Sequence, residues 1–159
     1  MRRLLLLAAL SLSALSVPAE AWAGNRPALT QNTRQTSNKV RLTLLVVHAT
    51  DTVTGVDPRL ASLESSFRYF KYKGYKQLSS ESADVATDGS NTFDIVGNRK
   101  VTVTLLSKDD NNVRVHVEVT GNNGKLLDTT VKVNRDGTFI VAGPKYQDGM
   151  LILPLRASY

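Results

Sequence analysis

The sequence predicts an α+β protein, mainly β: an antiparallel β-sandwich or open barrel of seven to eight strands, with one N-terminal amphipathic helix at about 58–73. Three observations predict it. A strand apolar on both faces opens the body of the chain, and a single well-capped helix follows. From Tyr75 onward, short alternating segments are separated by turn residues at regular intervals.

Ahead of that body, residues 1–23 read as an export signal. Arg2 and Arg3 form a positive n-region, Leu4 to Leu15 is apolar apart from Ser11 and Ser13, and Ala21-Trp22-Ala23 supplies a small-x-small cleavage pattern. Ala19-Glu20-Ala21 offers a second cut two residues earlier. The apolar stretch is too short to span a bilayer as a helix. Residues 24–38 have too few large apolar side chains to repay the entropy of ordering, so a flexible leader is expected there, with a single globular domain over 39–159.

The first strand covers Val40 to Ala49. Val40, Leu42, Leu44 and Val46 share one face, and Leu45, Val47 and Ala49 make the other apolar too, which belongs in the middle of a sheet. The helix starts at Asp57 as N-cap with Pro58 in the first turn. Leu60, Leu63, Phe67 and Phe70 cover about 80° of one face at 100° per residue. Gly74 is expected as a left-handed stop, with Tyr75 packing back on Phe70. Strands are then expected near 76–86, 92–96, 100–107, 113–120, 126–133, 138–142 and 149–157. The first of these is weakly patterned, an edge strand or loop. Val113, Val115, Val117 and Val119 point inward while Arg114, His116 and Glu118 point outward. Pro154 argues that its strand turns its N–H side to solvent or to a bulge. The first strand is expected to pair with the last.

Composition narrows the function classes. The chain has no cysteine, so neither a disulfide framework nor a lipid-bearing N-terminal cysteine is available. The charge is uneven: residues 24–76 hold nine Lys/Arg against Asp51, Asp57 and Glu64, whereas residues 77–159 hold nine against ten Asp/Glu. Anionic partners are favoured by such a distribution. Nucleic acid is an unsuitable partner for an exported chain, and no further apolar span suggests an integral membrane segment.

Chemistry is mostly missing from the motifs. There is no Gly-x-Ser-x-Gly, no His-Glu-x-x-His, no phosphate-cradling glycine loop and no dinucleotide fingerprint. Neither catalytic residues, nor a metal set, nor a cofactor is predicted. His48 ends the buried strand, where a backbone carbonyl is its expected partner, and His116 reads as exposed. Asp84 to Asn91 faintly follows a calcium loop but has Ala86 at the third ligand position and Ile95 where the bidentate acid belongs.

Residues 67–76, Phe-Arg-Tyr-Phe-Lys-Tyr-Lys-Gly-Tyr-Lys, interleave five aromatics with four cations. Phe67 and Phe70 belong to the buried stripe. On a helical wheel Tyr69 and Tyr72 lie away from it, near Arg68 and Lys73, and Tyr with Arg is the composition of interface hot spots. Arg68, Tyr69, Tyr72 and Lys73 are therefore the candidate binding residues. The plainer alternative places these tyrosines against neighbouring loops with wet hydroxyls. Tyr146, in the loop Gly143 to Gly149, is a fifth candidate if that loop is a contact loop, the plainer alternative being a long connection.

Leu45-Val46-Val47-His48-Ala49, Gly55-Val56-Asp57-Pro58, Phe67 to Leu78, Leu127-Asp128-Thr129-Thr130 and Gly143 to Ile152 carry a resemblance. Over about 42–157 the chain resembles a group of small exported proteins of Gram-negative bacteria, of unassigned function, with a helix followed by a β-rich body. The resemblance implies a periplasmic or secreted location and carries no site residue. The expected function is a non-enzymatic binding or structural module of the cell envelope acting through protein–protein contacts. The alternatives are a binder of cell-wall or other envelope glycan, and a hydrolase built on paired carboxylates.

Overall fold

The computed structural model describes residues 38–159. The expected export signal over 1–23 and the expected leader up to residue 37 lie outside the described residues. Nine strands form two sheets. They are β1 (Lys39–Thr50), β2 (Gly55–Val56), β3 (Gly74–Ala86), β4 (Ser90–Ile95), β5 (Arg99–Lys108), β6 (Asn112–Gly121), β7 (Gly124–Asn134), β8 (Thr138–Tyr146) and β9 (Gly149–Ser158). Sheet A runs β2-β3-β1-β9-β8 and sheet B runs β4-β5-β6-β7. All pairings are antiparallel except β2 with β3. The mainly-β α+β class holds, with eight long strands, a two-residue ninth and a short helical segment.

The period-2 pattern explains the main core. Val101, Val103 and Leu105 of β5 lie opposite Val119, Val117 and Val115 of β6, and Val115 and Val113 lie opposite Val131 and Val133 of β7. This valine-rich layer meets Val40, Leu42, Leu44 and Val46 of β1 and Leu151, Leu153 and Leu155 of β9. β1 does pair with β9, and both are central, so both faces must be apolar. The second face of sheet A packs on the helical segment. Val47, Ala49, Tyr75 and Ile152 there bury Leu60 and Phe67.

Several local expectations change. The helix is far shorter than 58–73: a 3-10 turn at Pro58–Leu63 leads into α1 at Glu64–Phe67, and no helix continues. Ser65, Ser66 and the following aromatics are weak helix formers. The carbonyls of Phe67 and Phe70 both accept from the Tyr75 hydroxyl, at 3.1 and 3.0 Å. Tyr75 lies on the ring of Phe67 rather than on Phe70, with centroids 4.5 Å apart and planes 9° from parallel. Gly74 is not a left-handed stop. It is the buried first residue of β3, and a Cβ there would sit 2.5 Å from the Val53 carbonyl oxygen.

Pro154 also departs from expectation: it is buried in a strand paired on both sides. The cost falls on the ladder to β1, which runs from Arg41–Ser158 to Leu44–Leu155 and resumes only at Val47–Ile152. The missing N–H lies in that gap. The supposed loop at Gly143 to Gly149 is the end of β8 and a tight turn, in which Gln147 adopts a positive φ of 51°. A register shift between Ala142 and Lys145 absorbs Gly143 and Pro144.

Candidate functional site

The local chemistry of the helical segment begins with Asp57. Its Oδ1 accepts from the Arg59 backbone N–H at 3.0 Å, capping the first turn, and its carboxylate holds the Arg59 guanidinium at 2.7 Å. Gln77 N–H of β3 donates to the same carboxylate at 3.3 Å. The Arg59 hydrogen bonds hold the Asp57 carboxyl well below the usual carboxylate range. One side chain thereby ties the turn to the sheet.

Beyond α1 the chain crosses the outer face of sheet A with a mixed pattern. Phe67 is buried, Phe70 and Tyr72 are half-buried against the second core, and Arg68, Tyr69, Lys71 and Lys73 are exposed. Tyr69 is 88% exposed. Because no helix continues past Phe67, the wheel that grouped Tyr69 with Tyr72 does not apply. Tyr69 stands out, whereas Tyr72 leans inward. Arg68, Tyr69 and Lys73 are thus exposed along one short segment, which Tyr72 helps fasten to the second core. Lys73 is fixed through its backbone N–H, which donates to Asp51 at 3.2 Å.

Tyr146 is not brought to that surface. It packs on the main core, on the opposite face of sheet A. Its ring meets His48 edge-on at 5.3 Å, and the Arg99 guanidinium lies 5.9 Å above it. Arg99 Nη2 donates to the Lys145 carbonyl at 2.9 Å, so a sheet B side chain clamps the β8–β9 turn. His48 does not find the expected backbone carbonyl. Its Nε2 is buried without a hydrogen-bond partner among the described residues, 3.4 Å from Asp148 Oδ1. The Thr50 hydroxyl donates a short hydrogen bond to the other Asp148 oxygen. Thr50 first, then Thr52 and more weakly His48, hold the Asp148 carboxyl below its ordinary range.

On the outer face of sheet B, His116 is half-exposed and paired rather than free. Its Nε2 lies 2.5 Å from Asp128, and Lys125 bridges Asp128 at 2.5 Å and Glu118 at 2.7 Å. The two carboxylates therefore converge on an ammonium group on an open sheet surface. Asp84, from the calcium-like stretch, is occupied by Arg41 at 2.9 Å. Among the described residues no group of three or more His, Cys, Asp or Glu side chains is placed to hold a metal ion, and no helix is long and apolar enough to cross a membrane.

The sequence reading missed a cleft of about 460 Å³ on the outer face of sheet A, beside the 3-10 turn. Its floor comes from β1, β3 and β9, with Thr43, Leu45, Ser80 and Arg156, and its wall from Arg59, Ser62 and Leu63. The signal was present in β3, where Gln77-Leu78-Ser79-Ser80-Glu81-Ser82 is rich in hydroxyls. That stretch looked weakly patterned because its outward row is polar cleft floor. No protein-family model, curated protein or solved structure matches this chain.

Proposed function

We propose that the protein is an exported, non-enzymatic binding module of the bacterial cell envelope, acting through protein–protein contacts at Arg68, Tyr69 and Lys73. The observation that carries this reading is Tyr69, a large aromatic 88% exposed and flanked by exposed Arg68, Lys71 and Lys73. None of those three cations has a carboxylate partner among the described residues. A stiff amphipathic ring with charged donors beside it is the composition that dominates interface energetics. Phe67, Phe70 and Tyr72 fasten the segment to sheet A, so little ordering entropy opposes docking. The signal pattern at 1–23 and the resemblance to exported Gram-negative proteins support a periplasmic or secreted location.

Affinity capture from envelope extract, with the natural chain and with Arg68→Ala/Tyr69→Ala side by side, tests this. A protein retained by the first and lost by the second is expected. Identical capture by both removes the surface from consideration.

A second reading, binding of an envelope glycan, is favoured by a different observation: the hydroxyl-lined cleft beside the 3-10 turn.

A further inference from the structure

We propose that this cleft is a binding site for an acidic saccharide, with Arg156 receiving the ligand's carboxylate. The inference narrows the glycan reading and rests on it, and it is independent of any contact at Tyr69. Two arginines border the cleft and their states differ. Arg59 is spent, with Nε and Nη2 on the Asp57 carboxylate at 3.1 and 2.7 Å and Nη2 also on the Gln77 carbonyl at 3.1 Å. Arg156 is exposed and has no carboxylate partner among the described residues. Among the described residues no carboxylate lines the cleft, and of its two arginines only Arg156 lacks a carboxylate partner.

The remaining lining chooses among anions. A guanidinium offers a planar fork that matches a carboxylate in two parallel hydrogen bonds. Around it stand Thr43, Ser62, Ser80, Thr138 and Ser158, of whose hydroxyls that of Thr43 is already shared with Ser82 at 2.8 Å. A hydroxyl both donates and accepts, so it suits a ligand whose own groups do both. A phosphodiester offers only acceptors and a phosphomonoester at most one P–OH, so either would leave most of the accepting lone pairs of these hydroxyls unused. A sugar ring carrying one carboxylate satisfies both the fork and the hydroxyls, and Leu45 and Leu63 supply the apolar patches for its C–H faces. The volume lies within the range of about 300–1,000 Å³ typical of small-ligand sites.

The test is calorimetric titration of the full chain with a uronic-acid trisaccharide and with its carboxyl-reduced neutral counterpart, at low ionic strength. The acidic probe is expected to bind at least about tenfold more tightly than the neutral one. Arg156→Gln should abolish that preference, and Ser80→Ala should weaken both probes. Arg114→Gln, which removes the same charge from the outer face of sheet B, should change neither. Equal binding of the two probes would overturn the assignment of charge while leaving a glycan site standing. Binding of neither would remove both. An equal loss in Arg114→Gln would reduce the preference to overall charge, and unchanged affinity in Arg156→Gln with unaltered thermal unfolding would place the carboxylate elsewhere.

Discussion

Tyr75 lies flat on Phe67, 4.5 Å between centroids, and returns its hydroxyl to the Phe67 and Phe70 carbonyls. The ring and the hydroxyl do different work. The ring fills the second core, and the hydroxyl satisfies two carbonyls that a longer helix would have paired itself. Burial pushes the Tyr75 hydroxyl pKa upward, so it remains a donor well beyond neutral pH.

Tyr75→Phe separates these contributions. The stack survives, the Phe70 carbonyl loses the hydroxyl and the Phe67 carbonyl keeps only the Phe70 N–H at 2.9 Å, so the variant should be less stable by about 1 kcal/mol in chemical denaturation. Amide exchange should accelerate over residues 68–73 before it does so in sheet B. Uniform acceleration through both sheets would contradict the local role of the hydroxyl.

Asp57 predicts an acid dependence whose sign is fixed. Its folded pKa is depressed, chiefly by the Arg59 side-chain hydrogen bonds, so the unfolded chain binds the proton more readily. Its contribution is complete above the ordinary aspartate range and is lost as pH falls below that range toward the depressed folded value. Asp57→Asn should therefore melt below the natural chain at pH 7, with the gap closing in strong acid. A gap that stays constant from neutral pH to strong acid would show that the charge is not involved.

Gly149 is held to its type by close approach, since a Cβ there would fall 1.9 Å from the Ala49 carbonyl oxygen. Gly149→Ala must push the β8–β9 turn away from β1. A loss of about 3 kcal/mol is expected in equilibrium unfolding. The same shift should break the Thr50–Asp148 hydrogen bond, visible as a rise in the Asp148 pKa by NMR titration.

Arg99 and Tyr146 join the two sheets at one end. A double-mutant cycle with Arg99→Met and Tyr146→Leu should give a coupling of about 0.5–1 kcal/mol. Strict additivity would show that the guanidinium acts only through the Lys145 carbonyl.

The strands were legible because their information is local. Alternating valines, and turn residues such as Asp88, Asn98, Asp136 and Gly124 at positive φ, mark each segment without reference to the rest of the chain. The end of the helix was not legible, because the Phe67 carbonyl is met by a hydroxyl eight residues further on rather than by a next helical turn. His48 and Asp148 lie far apart in sequence and become neighbours only once β1 and β9 pair. Likewise, Arg156 and Ser80 belong to separate strands. Only the sheet order, with β1 between β3 and β9, lays them on one floor. Tyr69 was found from composition, but its separation from Tyr72 needed the backbone.

The β1–β9 ladder has a consequence for how the chain reaches its native state. Sheet B is a meander whose hairpins close between sequence neighbours, whereas sheet A lacks its middle until β9 slots between β1 and β8. Pairing across so long an intervening loop is slow. Until β9 has been synthesised, β1 and β8 are each left with a bare edge on the side of the missing neighbour, and sheet A closes only when that last strand is in place.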